Sequence, residues 1–197
     1  MSQLQKKVYI VHGDQESPND HWFPWLKKQL ENKSFQVEVP VMPETDYPTL
    51  DKWLSHIQNL IGVCDEDTYL VGHSLGTITA LRFLEALPNN QRAGGVVLVA
   101  GFSEPLGFKP LSSFTEKPLD YKKVKNSVNP AARGGASKIV VIHSTDDESV
   151  PYKFAEILRD KLGAELITLH NSGHINSEDG YFELPQALDA ILKFSNE

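Results

Sequence analysis

The sequence predicts an α/β fold: a sheet of about six parallel strands sandwiched between helices. Two observations predict it. Short apolar, β-branched runs alternate with segments of helical periodicity from one end of the chain to the other. The runs are continuously apolar rather than alternating, as expected of strands covered on both faces of a parallel sheet.

The first run, Val8 to Val11, is read as a strand. His21 to Leu30 then carries Trp22, Trp25, Leu26 and Leu30 at helical spacing. Gln36 to Val41 reads as the second strand, and Leu50 to Ile61 as a helix with Trp53, Leu54, Ile57, Leu60 and Ile61 on its apolar face. Thr68 to Val71 is the third strand, followed by a helix over Thr77 to Leu87. Gly95 to Ala100 and Lys138 to His143 are the fourth and fifth strands. Pro151 to Leu162 opens with a proline, whose fixed φ and missing N–H suit a first helical turn. Glu165 to Leu169 is the sixth strand, and Leu184 to Phe194 the closing helix. This order implies right-handed crossovers. One segment departs from it. Gly101 to Ala136 is long, holds four prolines, and is helical only weakly around Tyr121 to Val128. Long irregular loops inside compact domains are usually binding loops, lids or disorder, and residues 1–197 read as one domain with 101–136 as a cap or loop insertion.

Bulk composition narrows the function. The 197 residues suit one domain with a sizeable core. A net charge of -7, with no basic cluster larger than a pair, argues against binding nucleic acid. The single cysteine, Cys64, excludes an internal disulfide and reads as a small buried hydrophobe. No apolar stretch approaches the roughly 20 residues that span a bilayer. The N-terminus lacks a signal-peptide core, and a cytoplasmic location is expected.

Chemistry is signalled by Gly72-His73-Ser74-Leu75-Gly76. A serine framed by glycines between a strand and a helix has the pattern of a nucleophile elbow. Such a turn strains the serine backbone, and the strand and helix pass too close for side chains at the glycines. It also aims the first helix amides at the serine hydroxyl, where they can hold an oxyanion.

A serine hydroxyl needs a base, and the base an orienting acid. The order serine, acid, histidine narrows the search. Of seven histidines, His12, His21, His56 and His73 precede or adjoin the serine, and His143 lies in or at the end of a strand. His174 follows the last strand in Asn171-Ser172-Gly173-His174 and is the candidate base, with His170 second. Asp146 and Asp147 both follow the fifth strand. Spacing to Val150 and Pro151 favours Asp147 as the acid, leaving Asp146 to bond backbone amides of the turn. The oxyanion donors are expected to be the amide of Leu75 and one from the Gly13-Asp14 loop, with Asp14 the favoured donor and Gly13 letting the loop approach closely. His12 is expected to support that loop. Phe102, Phe108 and Phe114 are candidate walls of the substrate pocket. No metal or organic cofactor is required by this set.

The elbow, Asp147-Glu148-Ser149-Val150-Pro151 and Gly173-His174 resemble the α/β-hydrolase superfamily. The chain is more narrowly similar to small serine hydrolases of the retinoblastoma-binding protein 9 and YdeN type. That similarity runs through Val8-Tyr9-Ile10-Val11-His12-Gly13, His21-Trp22-Phe23-Pro24-Trp25-Leu26-Lys27-Lys28, Met42-Pro43, Gly72-His73-Ser74 and Thr145-Asp146-Asp147 to Gly173-His174. It implies a reduced α/β-hydrolase sandwich and carries the triad onto Ser74, Asp147 and His174. The expected activity is cleavage of small carboxylic esters, and of small amides, through an acyl-enzyme on Ser74. Two alternatives stand beside it: a protein-interaction module on the same scaffold, implying a protein partner, and a thioesterase or acyltransferase.

Overall fold

The computed structural model describes residues 5–130 and 137–196, so the end of the 101–136 segment lies outside the described residues. Six strands form: β1 (Lys7–Val11), β2 (Gln36–Glu38), β3 (Thr68–His73), β4 (Gly95–Val99), β5 (Ile139–Ser144) and β6 (Glu165–Leu169). They make one sheet in the order β2-β1-β3-β4-β5-β6, and every pairing is parallel. The main helices are α1 (Phe23–Glu31), α2 (Leu50–Ile61), α3 (Leu75–Ala86), α4 (Ser112–Thr115), α5 (Tyr121–Asn126), α6 (Lys153–Leu162) and α7 (Pro185–Asn196). None among the described residues is long and apolar enough to cross a membrane.

Each central strand divides its residues between two cores. Tyr9, Val11, Leu70, Val96, Leu98 and Val141 pack with α2, α3 and α6. Val8, Ile10, Val71, Val97, Val99, Val140 and Ile142 pack with α1 and α7. That division is why the sequence runs read as unbroken apolar stretches: successive side chains leave opposite faces and both faces are covered. α3 lies deepest, with every residue from Leu75 to Leu84 buried. Cys64 is buried in the first core, where desolvation pushes its thiol up to about 12.

Two boundaries differ from expectation for local reasons. β2 stops at Glu38, not Val41, because Pro40 has no N–H to donate to the ladder. α3 begins at Leu75, directly after the elbow, rather than at Thr77. The described part of the 101–136 segment is anchored locally. A 3-10 turn at Lys109–Leu111 leads into α4. Arg82 of α3 ties that region down, donating from Nε to the Phe114 carbonyl at 3.1 Å and from its guanidinium to the Lys117 carbonyl.

The chain leaves β1 for the edge at β2 and returns on the other side at β3. The loops after β1 and β3 therefore diverge, opening a crevice at the carboxyl ends of the strands.

The tightest contact in the fold gives a test. A Cβ on Gly76 would sit 2.0 Å from the Val11 carbonyl oxygen, whereas one on Gly62 would meet nothing within 4 Å. Gly76→Ala is expected to cost at least about 3 kcal/mol by urea denaturation, since backbone on both sides must shift. Gly62→Ala, strained only by its φ of +65°, should cost about 1–2 kcal/mol. Equal losses would contradict the close approach.

Candidate active site

Ser74 sits at the end of β3 with φ 52° and ψ -118°, a region that L-residues rarely occupy. Its backbone N–H donates to Val99 O at 3.0 Å, which holds the strained residue against β4. Both flanking glycines are sterically required: a Cβ on Gly72 would lie 2.6 Å from the Gly76 carbonyl oxygen.

His174 stands in the loop after β6, and its Nδ1 donates to Asp147 Oδ2 at 2.8 Å. Asp147 is fully buried at its side chain. Its second oxygen, Oδ1, accepts the amides of Ser149 at 2.9 Å and Val150 at 2.8 Å. The turn-capping role expected of Asp146 thus belongs to Asp147, and one carboxylate both shapes its loop and faces the imidazole. Asp146 serves the opposite loop. Its Oδ1 accepts from the Ser144 hydroxyl and from the Ser172 amide, bonds that hold its carboxyl below the usual range. Beneath the pair, His143 donates from Nε2 to Val150 O at 2.7 Å, and burial lowers its pKa. His170 is exposed and bonds Thr145.

The His174 loop is fastened at several points. His174 N–H donates to Asp179 Oδ2 at 2.7 Å, and its carbonyl faces His73 Nε2 at 3.0 Å. Trp22 Nε1 donates to Ile175 O at 3.0 Å. Gly173 has φ +48°, and a Cβ there would collide with the Asp179 carboxylate.

Beside this loop lies a cluster that the sequence did not announce. The buried His73 ring places Nδ1 2.9 Å from Glu16 Oε1. His21 Nε2 approaches the same oxygen at 3.3 Å, and Gly13 N–H donates to Glu16 Oε2. Burial would raise the Glu16 pKa, but the charge of His73 and the hydrogen bonds from His21, His73 and Gly13 hold it far below the usual carboxylate range. Burial likewise pulls His73 down, yet Glu16 and the His174 carbonyl leave its pKa raised. The trio has the residue types of a metal site, but its tautomers do not suit one. His21 Nδ1 accepts the Ser177 amide at 3.0 Å, so its proton occupies Nε2, the nitrogen a metal would need bare.

Ser74, His174, Asp14, Glu16 and His21 line one cleft of about 510 Å³. Its apolar wall is Phe102, Leu106, Phe108, Leu111 and Val150. No Lys or Arg lines it among the described residues. Of the oxyanion candidates, Gly13 is spent: its N–H is taken by Glu16, and its missing Cβ makes room for that carboxylate. Gln15 N–H is engaged by Thr45 O at 3.3 Å. Among the described residues no acceptor engages the amides of Asp14 or Leu75. The Asp14 carboxyl is partly buried with Oδ1 unpartnered, and burial raises its pKa. His12 holds the loop as expected, with Nδ1 donating to Gly13 O and Nε2 accepting the Met42 amide. Phe114 is not a pocket residue: it is fully buried in the core, edge-on to Trp53 at 5.7 Å.

A second hollow of about 450 Å³ shares Phe102, Leu106, Phe108 and Leu111 with the cleft.

Comparison with known proteins agrees with this architecture. A family model described as serine hydrolase matches residues 8–193. YdeN of Bacillus subtilis is 36% identical over 192 residues, covering 97% of each chain. The serine hydrolase RBBP9 of Rattus norvegicus is 27% identical over 191 residues, covering 94% of this chain and 95% of that one. The crystal structure of the B. subtilis ydeN gene product superposes with a TM-score of 0.90 at 35% identity, over 98% of this chain and 100% of that one. Est1E of Butyrivibrio proteoclasticus, solved with ferulic acid bound, shares the fold alone: TM-score 0.71 at 14% identity, over 96% and 87% of the two chains. The fold is that of the α/β-hydrolases, and the chain belongs to the serine hydrolase family.

Proposed function

We propose that this protein hydrolyses small carboxylic esters, and small amides, through an acyl-enzyme on Ser74. The observation that carries the reading is the fixed tautomer of His174. Its Nδ1–H is claimed by Asp147 at 2.8 Å, so the lone pair sits on Nε2, in the cleft that Ser74 also lines.

In this reading Ser74 Oγ attacks the substrate carbonyl while its proton passes to His174 Nε2. The electron pair displaced onto the carbonyl oxygen is held by the amides of Leu75 and Asp14. Each such donor contributes about 10²–10³ in kcat. His174 then returns the proton to the leaving alcohol or amine as the carbonyl re-forms. A water repeats the sequence against the acyl-enzyme, releasing the acid and restoring Ser74. Asp147 acts as acceptor throughout, its Oδ1 occupied by two amides and its Oδ2 by the imidazole. The chain acts as one catalytic domain, with Phe102 to Leu111 forming the wall over the acyl group.

Ser74→Ala should abolish labelling by a fluorophosphonate and lower kcat by about 10⁴–10⁶. Asp147→Asn should lose about 10⁴ in kcat at neutral pH, the size of loss known for the triad acid of a serine protease. Asp146→Asn, which disturbs the Ser144 and Ser172 contacts but not the bond to the imidazole, should lose about tenfold or less. An inactive Asp146→Asn beside a near-normal Asp147→Asn would move the acid to Asp146. Retained labelling of Ser74→Ala would remove the nucleophile.

The wall also sets a chain-length preference. A methylene covered by Leu106 and Leu111 adds about 0.8 kcal/mol of transfer free energy, but Phe108 is 55% exposed and covers little beyond them. Acetyl and butyryl esters should therefore exceed octanoyl and longer esters in kcat/KM. With Asp14, Asp20 and Glu178 on the cleft and no facing cation among the described residues, a succinyl monoester should be slower than its neutral butyryl counterpart. A rising series from acetyl to octanoyl would overturn the assignment of the wall.

A further inference from the structure

The Glu16–His73 pair lies outside the triad, and its proton inventory is fully determined by its neighbours. His73 is buried, with Nδ1 2.9 Å from Glu16 Oε1 and Nε2 3.0 Å from the His174 carbonyl oxygen. A carbonyl oxygen cannot donate, so the bond at Nε2 requires a proton there. An ionised carboxylate cannot donate either, so the bond at Nδ1 requires a second. Glu16 is ionised because each of its oxygens already faces donors: Gly13 N–H and His73 at one, His73 and His21 Nε2 at the other. His21 is committed to that direction by the Ser177 amide on its Nδ1. A proton on Glu16 would point at one of these N–H groups.

We propose that His73 is a standing imidazolium, held by Glu16, whose Nε2–H grips the His174 carbonyl and thereby positions the catalytic base. His73 is a positioning residue: it touches no reacting atom and acts through the backbone of His174. The assignment rests on the reading of His174 as base. With Asp179 holding the His174 N–H at 2.7 Å, the base is gripped at both ends of its own residue. The grip depends on the second proton. Were His73 neutral, Glu16 would keep the remaining proton on Nδ1, and the bare Nε2 would face the carbonyl oxygen lone pair to lone pair. The loop would then be pushed away rather than held.

The other titratable groups around the ring fit this state. From the loop after β1 come Glu16 and His21; from the loops after β6 and β5, His174 and Asp147; His12 and His143 lie farther off, both lowered by burial. Trp22 and Phe23 enclose the ring edge-on at 5.9 and 5.8 Å. Glu16 is the carboxylate in direct contact.

Two measurements test the proposal. The first is the ring ¹⁵N spectrum of the wild-type protein at about pH 8, where an ordinary histidine is neutral, with His73→Gln used for assignment. His73 should show two protonated nitrogens. One bare ring nitrogen would overturn the proposal, whatever the activity. The second compares His73→Gln with His73→Asn. The glutamine amide reaches about as far as Nε2 and keeps a donor for the His174 carbonyl, whereas asparagine reaches only as far as Nδ1 and keeps the one for Glu16. In His73→Asn, kcat should fall by about tenfold to a hundredfold with KM changed less than about twofold, as expected of a misplaced base. His73→Gln should recover most of that loss. Equal kcat in the two variants would overturn the positioning role. A wild-type Ser74 that does not react with a fluorophosphonate would instead overturn the hydrolytic reading, and the ring spectrum would still decide the protonation of His73.

Discussion

The site depends on the contact of α3 with β1 at Gly76. Helix and strand approach so closely there that the Val11 carbonyl occupies the space of a side chain. The carbonyl belongs to the last residue of β1, and the loop carrying Gly13 and Asp14 begins one residue later. The helix carries Leu75 and ends the turn that strains Ser74. One steric fit therefore joins the proposed nucleophile, one proposed oxyanion amide and the root of the loop proposed to supply the other. Because α3 is buried along most of its length, the joint cannot relax by letting the helix swing out.

The remaining part of the machinery is held differently. His174 belongs to a loop beyond the edge strand β6, whose residues are all partly exposed. Its position comes from polar ties: Asp147 to the ring, Asp179 and His73 to the backbone, Trp22 to Ile175, and Asp146 to Ser172. The Glu16–His73 pair adds a dependence on acidity to this suspension. Glu16, lowered from an ordinary value of 4.5, contributes stability above that value and loses it as pH falls. His73, raised from 6.5, contributes fully below 6.5 and loses it as pH climbs through its folded value. The pair's contribution to folding stability is thus full between about 4.5 and 6.5 and declines on either side, while in the folded protein its bonds persist until the folded values are passed.

Much of this was legible in the sequence because it follows from local pattern. Unbroken apolar runs gave the parallel strands, and Leu50 to Ile61 declared its helix by periodicity alone. Gly72 and Gly76 announced the elbow through the absence of side chains. Other features depend on distance through the fold. Glu16 in a polar loop looks like any surface acid, and only the return of β3 beside β1 brings it to His73. The pattern did offer a hint, since His73 sits in an otherwise apolar strand flanking the nucleophile. Phe114 misled for a related reason: an aromatic in an irregular, proline-rich stretch reads as a pocket wall, but Arg82 and Trp53 draw it into the core. For the two aspartates, spacing could select the residue but not reveal that one carboxylate would serve both turn and imidazole.

The partition formed by Phe102, Leu106, Phe108 and Leu111 stands between two hollows of similar size. Leu106 and Phe108 take no part in the sheet or in the main helices, and Phe108 is largely bare. Shortening Phe108 would widen the boundary between the hollows at little cost to the core, whereas Leu106 packs against that core and Phe102 and Leu111 are buried in it. The boundary is therefore only partly independent of folding: its exposed member is free to vary, and its buried members are not. On the proposed esterase reading, acyl-group selection could drift through changes at Phe108 with stability placing little restraint on the route, while Phe102 and Leu111 stay fixed by the core.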